Sequence, residues 1–321
     1  MSGPELERLF YALPSFSGTS SMNWLVYAFA GPVLWAASTH VDKYLVDRYF
    51  RENDVGVLLI FTALIGLLML PFILYLKPEV LSLSWKDASV VAFSGVLYMT
   101  AMYFYLRALQ GDEASVVAPF FQAGPLFGYA LAWVVLGETL SRQQLLGGAL
   151  IVGGGLLLSI HPGAGRVRLR LVLLMLACAF VLAVSSVIFK AFAVHDEFWS
   201  TTFWTYLGEA LYGFWLLALP ASRRQFFALL GKNTSAVLGV NAANELINLG
   251  GGLGMRYALL LAPLSLVQAI GSTTTLFVFL IGILLSLFLP KLGREDLSVR
   301  NLLQKGLSAV LIGVGVYLVN S

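Results

Sequence analysis

Ten stretches of the chain stay apolar over roughly the 20 residues that a bilayer's hydrocarbon core requires. They lie at 23–42, 55–76, 87–109, 114–136, 142–160, 170–193, 199–219, 235–258, 262–289 and 299–319. Between them the pattern gives way to charge, proline and glycine, as at Arg51-Glu52-Asn53-Asp54, Lys77-Pro78-Glu79, His161-Pro162-Gly163 and His195-Asp196-Glu197. Such clusters end helices and start turns. The pattern predicts an all-α polytopic membrane protein with ten transmembrane helices and no inserted soluble domain. Ahead of the first span, residues 1–22 lack the basic start and apolar core of a signal peptide. Leu6, Leu9, Phe10 and Leu13 share one helical face, so this segment is expected to be a tail or a helix lying in the interface.

Composition agrees with that division. Of 321 residues, 59% are apolar and 12% charged, with a mean hydropathy of +0.83. A soluble fold cannot cover its surface with so few polar groups, which excludes an ordinary soluble enzyme, a disordered chain and a disulfide scaffold. The single cysteine, Cys178, forms neither an internal disulfide nor a zinc site alone. A net charge of +3 gives no reason to expect a nucleic-acid partner.

Sliding the chain along itself by 150 residues places Ala108-Leu109 on Ala258-Leu259, Ser115 on Ser265, Val117 on Val267 and Leu126-Phe127 on Leu276-Phe277. Nearer the start, Ser38 and Lys43 fall on Ser185 and Lys190. Each half then holds five spans, at 23–160 and 170–321, joined by a linker at 161–169. An odd number of spans forces the second half to insert upside down relative to the first. Two inverted five-helix repeats are an architecture of secondary transporters, which hold substrate near the midplane between the repeats.

The stretch Leu136-Gly137-Glu138-Thr139-Leu140-Ser141, followed by Gln144, Gly147, Ala149 and Gly153, resembles the close of the EamA repeat of the drug/metabolite transporter superfamily. Pro125 and Ala108-Leu109 fit the same pattern. In the second half Gly293-Arg294-Glu295 follows a longer basic loop and departs from it. The resemblance implies a carrier of small metabolites, often an exporter, or a flippase of lipid-linked sugars. It also implies a multi-pass location in the plasma membrane, which in a bacterium is the inner one. On orientation two arguments diverge. Of the 20 Lys and Arg residues, 6 fall to the side that holds both termini and 14 to the other. The positive-inside rule therefore puts the termini outside the cytoplasm, whereas the resemblance implies the reverse.

Charge at mid-membrane costs about 2.5–3.5 kcal/mol per residue on insertion scales, so midspan acids need an explanation. Glu209 and Glu245 each lie about ten residues into consecutive spans, close enough for their carboxyls to approach. Asn241, Asn244, Glu245 and Asn248 fall on one helical face, with Arg256 on the same stripe further along. Such a face lines a cavity or packs against polar partners. Either its amides glue helices together, or it forms a substrate and proton site in which one acid couples two fluxes. Glu209 shares a face with Thr202, Thr205, Tyr206 and Tyr212, and as a structural acid it would pair with Lys190 or Arg256. Gln268 and Ser272 in the ninth span and Gln122 in the fourth offer hydrogen bonds to a polar ligand. Trp35, Tyr98 and Tyr105 offer aromatic walls for a cation.

Other features read more plainly. Lys43, Arg107 and Lys190 lie near span ends and are expected to snorkel to headgroups, and Glu138 is expected to make a loop contact. Ala149 to Gly153 and Ala309 to Gly313 are small-residue spacings that predict tight packing or contact between subunits, leaving monomer and homodimer both open. His40 and Asp42 fall short of the three ligands of a catalytic metal, and Gly250 to Gly254 open no dinucleotide loop, so neither metal nor cofactor is expected. The leading reading is a secondary active transporter of a small polar metabolite such as an amine or amino acid: a proton-coupled exporter working by alternating access. The alternatives are a flippase for a lipid-linked sugar phosphate and, less favoured, a membrane-embedded lipid-modifying enzyme. An enzyme would need an interfacial cluster of acids or histidines, for which His195-Asp196-Glu197 is the only candidate.

Overall fold

The computed structural model describes residues 23–45, 55–111, 117–159, 169–194, 198–288 and 299–320. Residues 1–22 and 161–168, read above as a tail and most of a linker, lie outside the described residues. Eleven α-helices follow one another, with no strand among the described residues. They are α1 (Asn23–Leu45), α2 (Gly56–Leu76), α3 (Trp85–Gly111), α4 (Gly124–Leu136), α5 (Arg142–Ser159) and α6 (Leu169–Ala193). Then come α7 (Phe198–Ala218), α8 (Pro220–Leu261), α9 (Leu264–Gly271), α10 (Thr274–Phe288) and α11 (Val299–Asn320). A short 3-10 helix, Pro78–Ser82, follows α2, and another, Ala118–Ala123, leads into α4.

The helices fall on the ten predicted spans with three differences. The ninth span is divided. Ser272 Oγ donates to the Ala269 carbonyl at 2.6 Å, and Thr274 Oγ1 to that of Gly271 at 2.7 Å. These back-bonds compete with the helical ladder where it breaks into α9 and α10. The fourth span begins as a 3-10 helix and becomes α4 at Gly124-Pro125, where a missing proline N–H costs nothing. Finally, the charged stretch before the eighth span, expected as a loop, is helical. At 42 residues, α8 rises about 63 Å, twice a bilayer core of about 30 Å. Its first turns carry Arg223 and Arg224 exposed, while Phe226 is buried against Phe61 with ring centroids 5.1 Å apart. Leu229 and Leu230 join the same cluster.

By length and composition, residues 56–76, 85–110, 169–193 and 264–285 are apolar enough to cross a membrane, and α4 and 306–319 are shorter apolar helices. Helices α1, α5, α7 and α8 are not among them.

The closest-packed neighbours join one half of the chain to the other: α5 with α11, α1 with α8, α3 with α6, α2 with α7 and α3 with α7, then α4 with α6 and α1 with α10. Exchanging the halves maps α1·α8 onto α6·α3, and α4·α6 onto α10·α1. Helices α1–α5 are interleaved with α6–α11 rather than set beside them. The α5–α11 contact does not use the small-residue spacings named above. It closes through Gly147, Gly154 and Gly315, whereas Gly153 and Gly313 have open space at their Cβ positions.

Candidate functional site

Helices α1 and α8 pack antiparallel in a register that can be followed residue by residue. Tyr27 meets Tyr257 with ring centroids 4.7 Å apart. Trp35 lies over Gly251, where a Cβ would stand 3.0 Å from the indole Nε1. Asn244 donates through Nδ2 to Asp42 Oδ1 at 2.7 Å. Trp35 and Asp42 are seven residues apart on α1, as are Gly251 and Asn244 on α8. Gly250, Gly251 and Gly254 after the polar stripe therefore serve close packing of α8 on α1, whereas Gly252 has open space at its Cβ position.

The stripe faces inward. Asn241, Asn244 and Glu245 are buried, and Thr62 Oγ1 of α2 donates to Glu245 Oε1 at 2.8 Å. Asn248 stands one turn further along the same face. No described basic side chain lies within ion-pair distance of Glu245 or Asp42. Asp42, taken from the sequence as an edge residue, is thus part of this cluster. The available signal was its spacing from Trp35, which places both on one face of α1. Thr62 was missed as well, although it is the only hydroxyl-bearing side chain in the interior of a helix otherwise built from apolar residues.

Glu209, at the middle of α7, is paired. Arg256 Nη2 donates to Glu209 Oε1 at 2.7 Å, settling the choice between Arg256 and Lys190. The guanidinium lies 4.7 Å from the Tyr206 ring, 5.4 Å from Phe189 and 6.0 Å from Tyr98, a set of cation–π contacts. Its Nη1 is buried with no hydrogen-bond partner. Glu209 is brought in by a backbone-to-backbone crossing of α3 and α7: a Cβ at Gly95 would strike the carbonyl of Thr205, and one at Gly208 the carbonyl of Ala92. On α2, a Cβ at Gly66 would lie 3.7 Å from Glu209 Oε2. Thr62 and Gly66 are one turn apart, so the two acids are stacked along α2 at about 6 Å spacing.

A second buried ion pair corrects two expectations. Lys190 does not snorkel. It is 1% exposed and pairs with Glu138, whose loop contact is itself buried. Lys190 Nζ also donates to the Ala262 carbonyl at 2.6 Å, and Glu138 Oε2 accepts from the Leu264 N–H at 2.9 Å. These are the carbonyl of the residue that follows α8 and the first amide of α9, separated by Pro263, which has no N–H and holds Ala262 extended. A cation at a helix C-terminus and an anion at an N-terminus both match the helix dipoles. Gly137 ends α4 at φ 65°, a left-handed conformation that suits glycine, and this turn sends Glu138 back under α9.

The remaining candidates are dispersed. Gln268 packs against Gly128 of α4, its Oε1 buried without a partner. Ser272 is occupied at the end of α9 as described. Tyr105 stacks on Phe121 at 5.2 Å. The side chain of Gln122 lies outside the described residues, and so does that of Lys43. No metal-binding group of histidine, cysteine and acids occurs among the described residues.

Comparison with known proteins adds three findings. Residues 22–160 match the model of the EamA-like transporter family. An uncharacterised protein of Methanocaldococcus jannaschii is 31% identical over 136 residues, which are 42% of this chain and 92% of that one. A crystal structure matches with a TM-score of 0.67 at 15% identity, covering 93% of this chain and 96% of its own; at that identity the likeness speaks to the fold alone. The matched stretch carries the Gly137-Glu138 turn and the first five helices, and the chain belongs to the EamA-like transporter family.

Proposed function

We propose that the chain is a proton-coupled secondary active transporter that exports a small amine or zwitterion, with Glu245 as the coupling acid. The family makes it a multi-pass membrane transporter of the drug/metabolite type. One observation supports the finer reading above all: Glu245 is buried within the bundle with a hydroxyl donor from Thr62, and no basic side chain among the described residues lies within ion-pair distance of it. An isolated carboxylate is costly there. A proton or a substrate cation relieves that cost, and competition between them for one site couples the two fluxes. The charged and titratable groups around it are Asp42, Glu209, Arg256 and Tyr98. Glu209 is neutralised by Arg256 and is assigned a supporting role.

The proposal includes the division into inverted repeats at 23–160 and 170–321, alternating access between opposite faces, and residence in a plasma membrane. Lys190 and Arg256 are held inside the bundle, which leaves four basic residues on the side of the termini against 14 opposite. That asymmetry supports placing the termini on the non-cytoplasmic face, against what the family resemblance implies.

The test is reconstitution into liposomes loaded with a pH-sensitive dye, followed by addition of amines and amino acids. Substrate-driven proton movement is expected in the wild type and absent in Glu245→Gln. Exchange that persists unchanged in Glu245→Gln at every pH would falsify the coupling role. Silence toward every soluble compound, with movement of a labelled lipid-linked sugar, would replace the reading by a flippase.

A further inference from the structure

We infer that the first turns of α8, residues 220–231, lie along the membrane interface and dock the headgroups of anionic phospholipids. Such docking does not depend on what the protein carries.

The 42 residues of α8 do not run straight. Phe61 and Thr62 are neighbours on α2, yet Phe61 meets Phe226 with ring centroids 5.1 Å apart while Thr62 donates to Glu245. Phe226 and Glu245 are 19 positions apart. A straight helix would separate them by about 28 Å, more than the side chains of two neighbouring residues can span. The axis therefore bends between them, in an interval that holds the poor helix formers Gly231 and Gly239. The limb ahead of the bend stays level with the end of the bundle. Its Phe226, Leu229 and Leu230 share one apolar cluster with Leu45 at the end of α1, Val55 and Val57 at the start of α2 and Leu216 near the end of α7. At the same end Trp215 is 56% exposed and Tyr44 39%, and aromatic rings of this amphipathic kind settle at headgroup depth.

The limb has two faces. Ser222 and Phe226 are buried, whereas Arg223, Arg224, Phe227 and Ala228 are exposed, Phe227 by 60%. Cations beside an outward aromatic ring suit the boundary between lipid phosphates and acyl chains. No described acid lies within ion-pair distance of either arginine. The first turn of α8 carries no acid to offset them, and the helix dipole disfavours cations there. Arg107 and Arg170 share this end of the bundle, while the described acids that reach the surface, Glu79 and Asp87, lie at the other. The complementary partner is thus an anionic surface. A lipid layer supplies both the phosphates and an apolar bed for Phe227; a soluble anion supplies only the charge.

The experiment uses the full chain in detergent micelles doped with phosphatidylglycerol or with phosphatidylcholine of the same acyl chains. Phosphatidylglycerol is expected to raise the thermal midpoint of the wild type at lower concentration, with a preference that shrinks as salt is added. Each basic residue near an anionic surface is worth about fivefold, so Arg223→Gln with Arg224→Gln should cut the preference about 25-fold. Lys86→Gln with Arg142→Gln removes the same charge from exposed positions at the opposite end and should leave the preference intact. Should the double arginine variant fail to fold, Arg223→Gln alone should show the single fivefold step. Depth is read separately, from a spin label on Phe227→Cys in phosphatidylglycerol liposomes, Cys178 being buried. That label should meet dissolved oxygen more readily than a water-soluble nickel chelate. Equal stabilisation of the wild type by the two lipids overturns the inference, as does a preference that survives loss of the arginines or falls as far in the opposite-end variant. Inorganic phosphate that reproduces the stabilisation, or a label that meets the chelate more readily than oxygen, overturns it too. None of these outcomes touches the role proposed for Glu245.

Discussion

The bundle holds two buried ion pairs that look alike in a list of contacts and behave differently in their surroundings. Lys190–Glu138 sits where α4, α6, α8 and α9 end or begin, and its members also bond the carbonyl of Ala262 and the amide of Leu264. Its charges complete two helix termini. Arg256–Glu209 sits within two continuous helices, where the backbone offers no free group, and the arginine is left against aromatic rings with one nitrogen unused. The first pair is also anchored to two backbone groups between helices, whereas Arg256 and Glu209 have no backbone partner among the described residues. Burial does not tell the two pairs apart, since Glu138 and Glu209 are equally withdrawn from solvent; what differs is that the backbone engages the charges of the first and aromatic rings surround the cation of the second.

The largest expected effect tests the structural pair. Lys190→Met alone should lower stability by about 3–5 kcal/mol, because it strands Glu138, and the loss should appear in the thermal midpoint of the detergent-solubilised protein. Adding Glu138→Leu should recover part of that loss, though not all, since the Leu264 amide stays without its acceptor. A silent single variant would place the two pairs in one class. Next comes Glu209→Gln, expected to cost less, about 1–3 kcal/mol, since the aromatic rings and partial exposure of Arg256 cushion the lone cation. Its transport defect should outweigh its stability defect, the reverse of Lys190→Met. Smallest is Gly137→Ala, which forces a left-handed residue to carry a Cβ at about 1–2 kcal/mol. That variant should loosen the first pair without touching substrate selectivity, measured as the ratio of uptake rates for two probes.

Much of the fold was legible because lipid imposes a simple rule on composition. The ten spans followed from runs of apolar residues, and the asparagine stripe with Glu245 and Arg256 followed from helical periodicity. The first turns of α8 were not legible. Arg223, Arg224 and Lys232 read as loop chemistry, and only the seat for Phe226 beside Phe61, 165 positions away in the chain, explains why the segment is helical. The same limit hid the partners of the charges. Lys190 near a helix end has the sequence signature of a snorkelling lysine, and nothing local distinguishes it from one. What decides is Glu138, delivered by the turn at Gly137, and the helix break at Pro263. Asp42 was misjudged for a related reason: distance from a span end in sequence measures depth, not company.

The interleaving of the halves bears on how such a chain comes to exist. Since α1 lies on α8, α3 on α6, and α5 on α11, each half presents its apolar and polar faces to the other and keeps few for itself. On the proposed division into inverted repeats, a five-helix chain packed in this way would have to find its cover in a second copy threaded through the membrane the other way up. In the longer chain that encounter is intramolecular, so its effective concentration is set by the connection between the halves rather than by expression level. On that proposed reading, joining them would also free the two copies to diverge: Glu245 corresponds to Gly95 at the repeat offset, and the missing side chain of Gly95 lets α3 and α7 cross backbone to backbone beside Glu209.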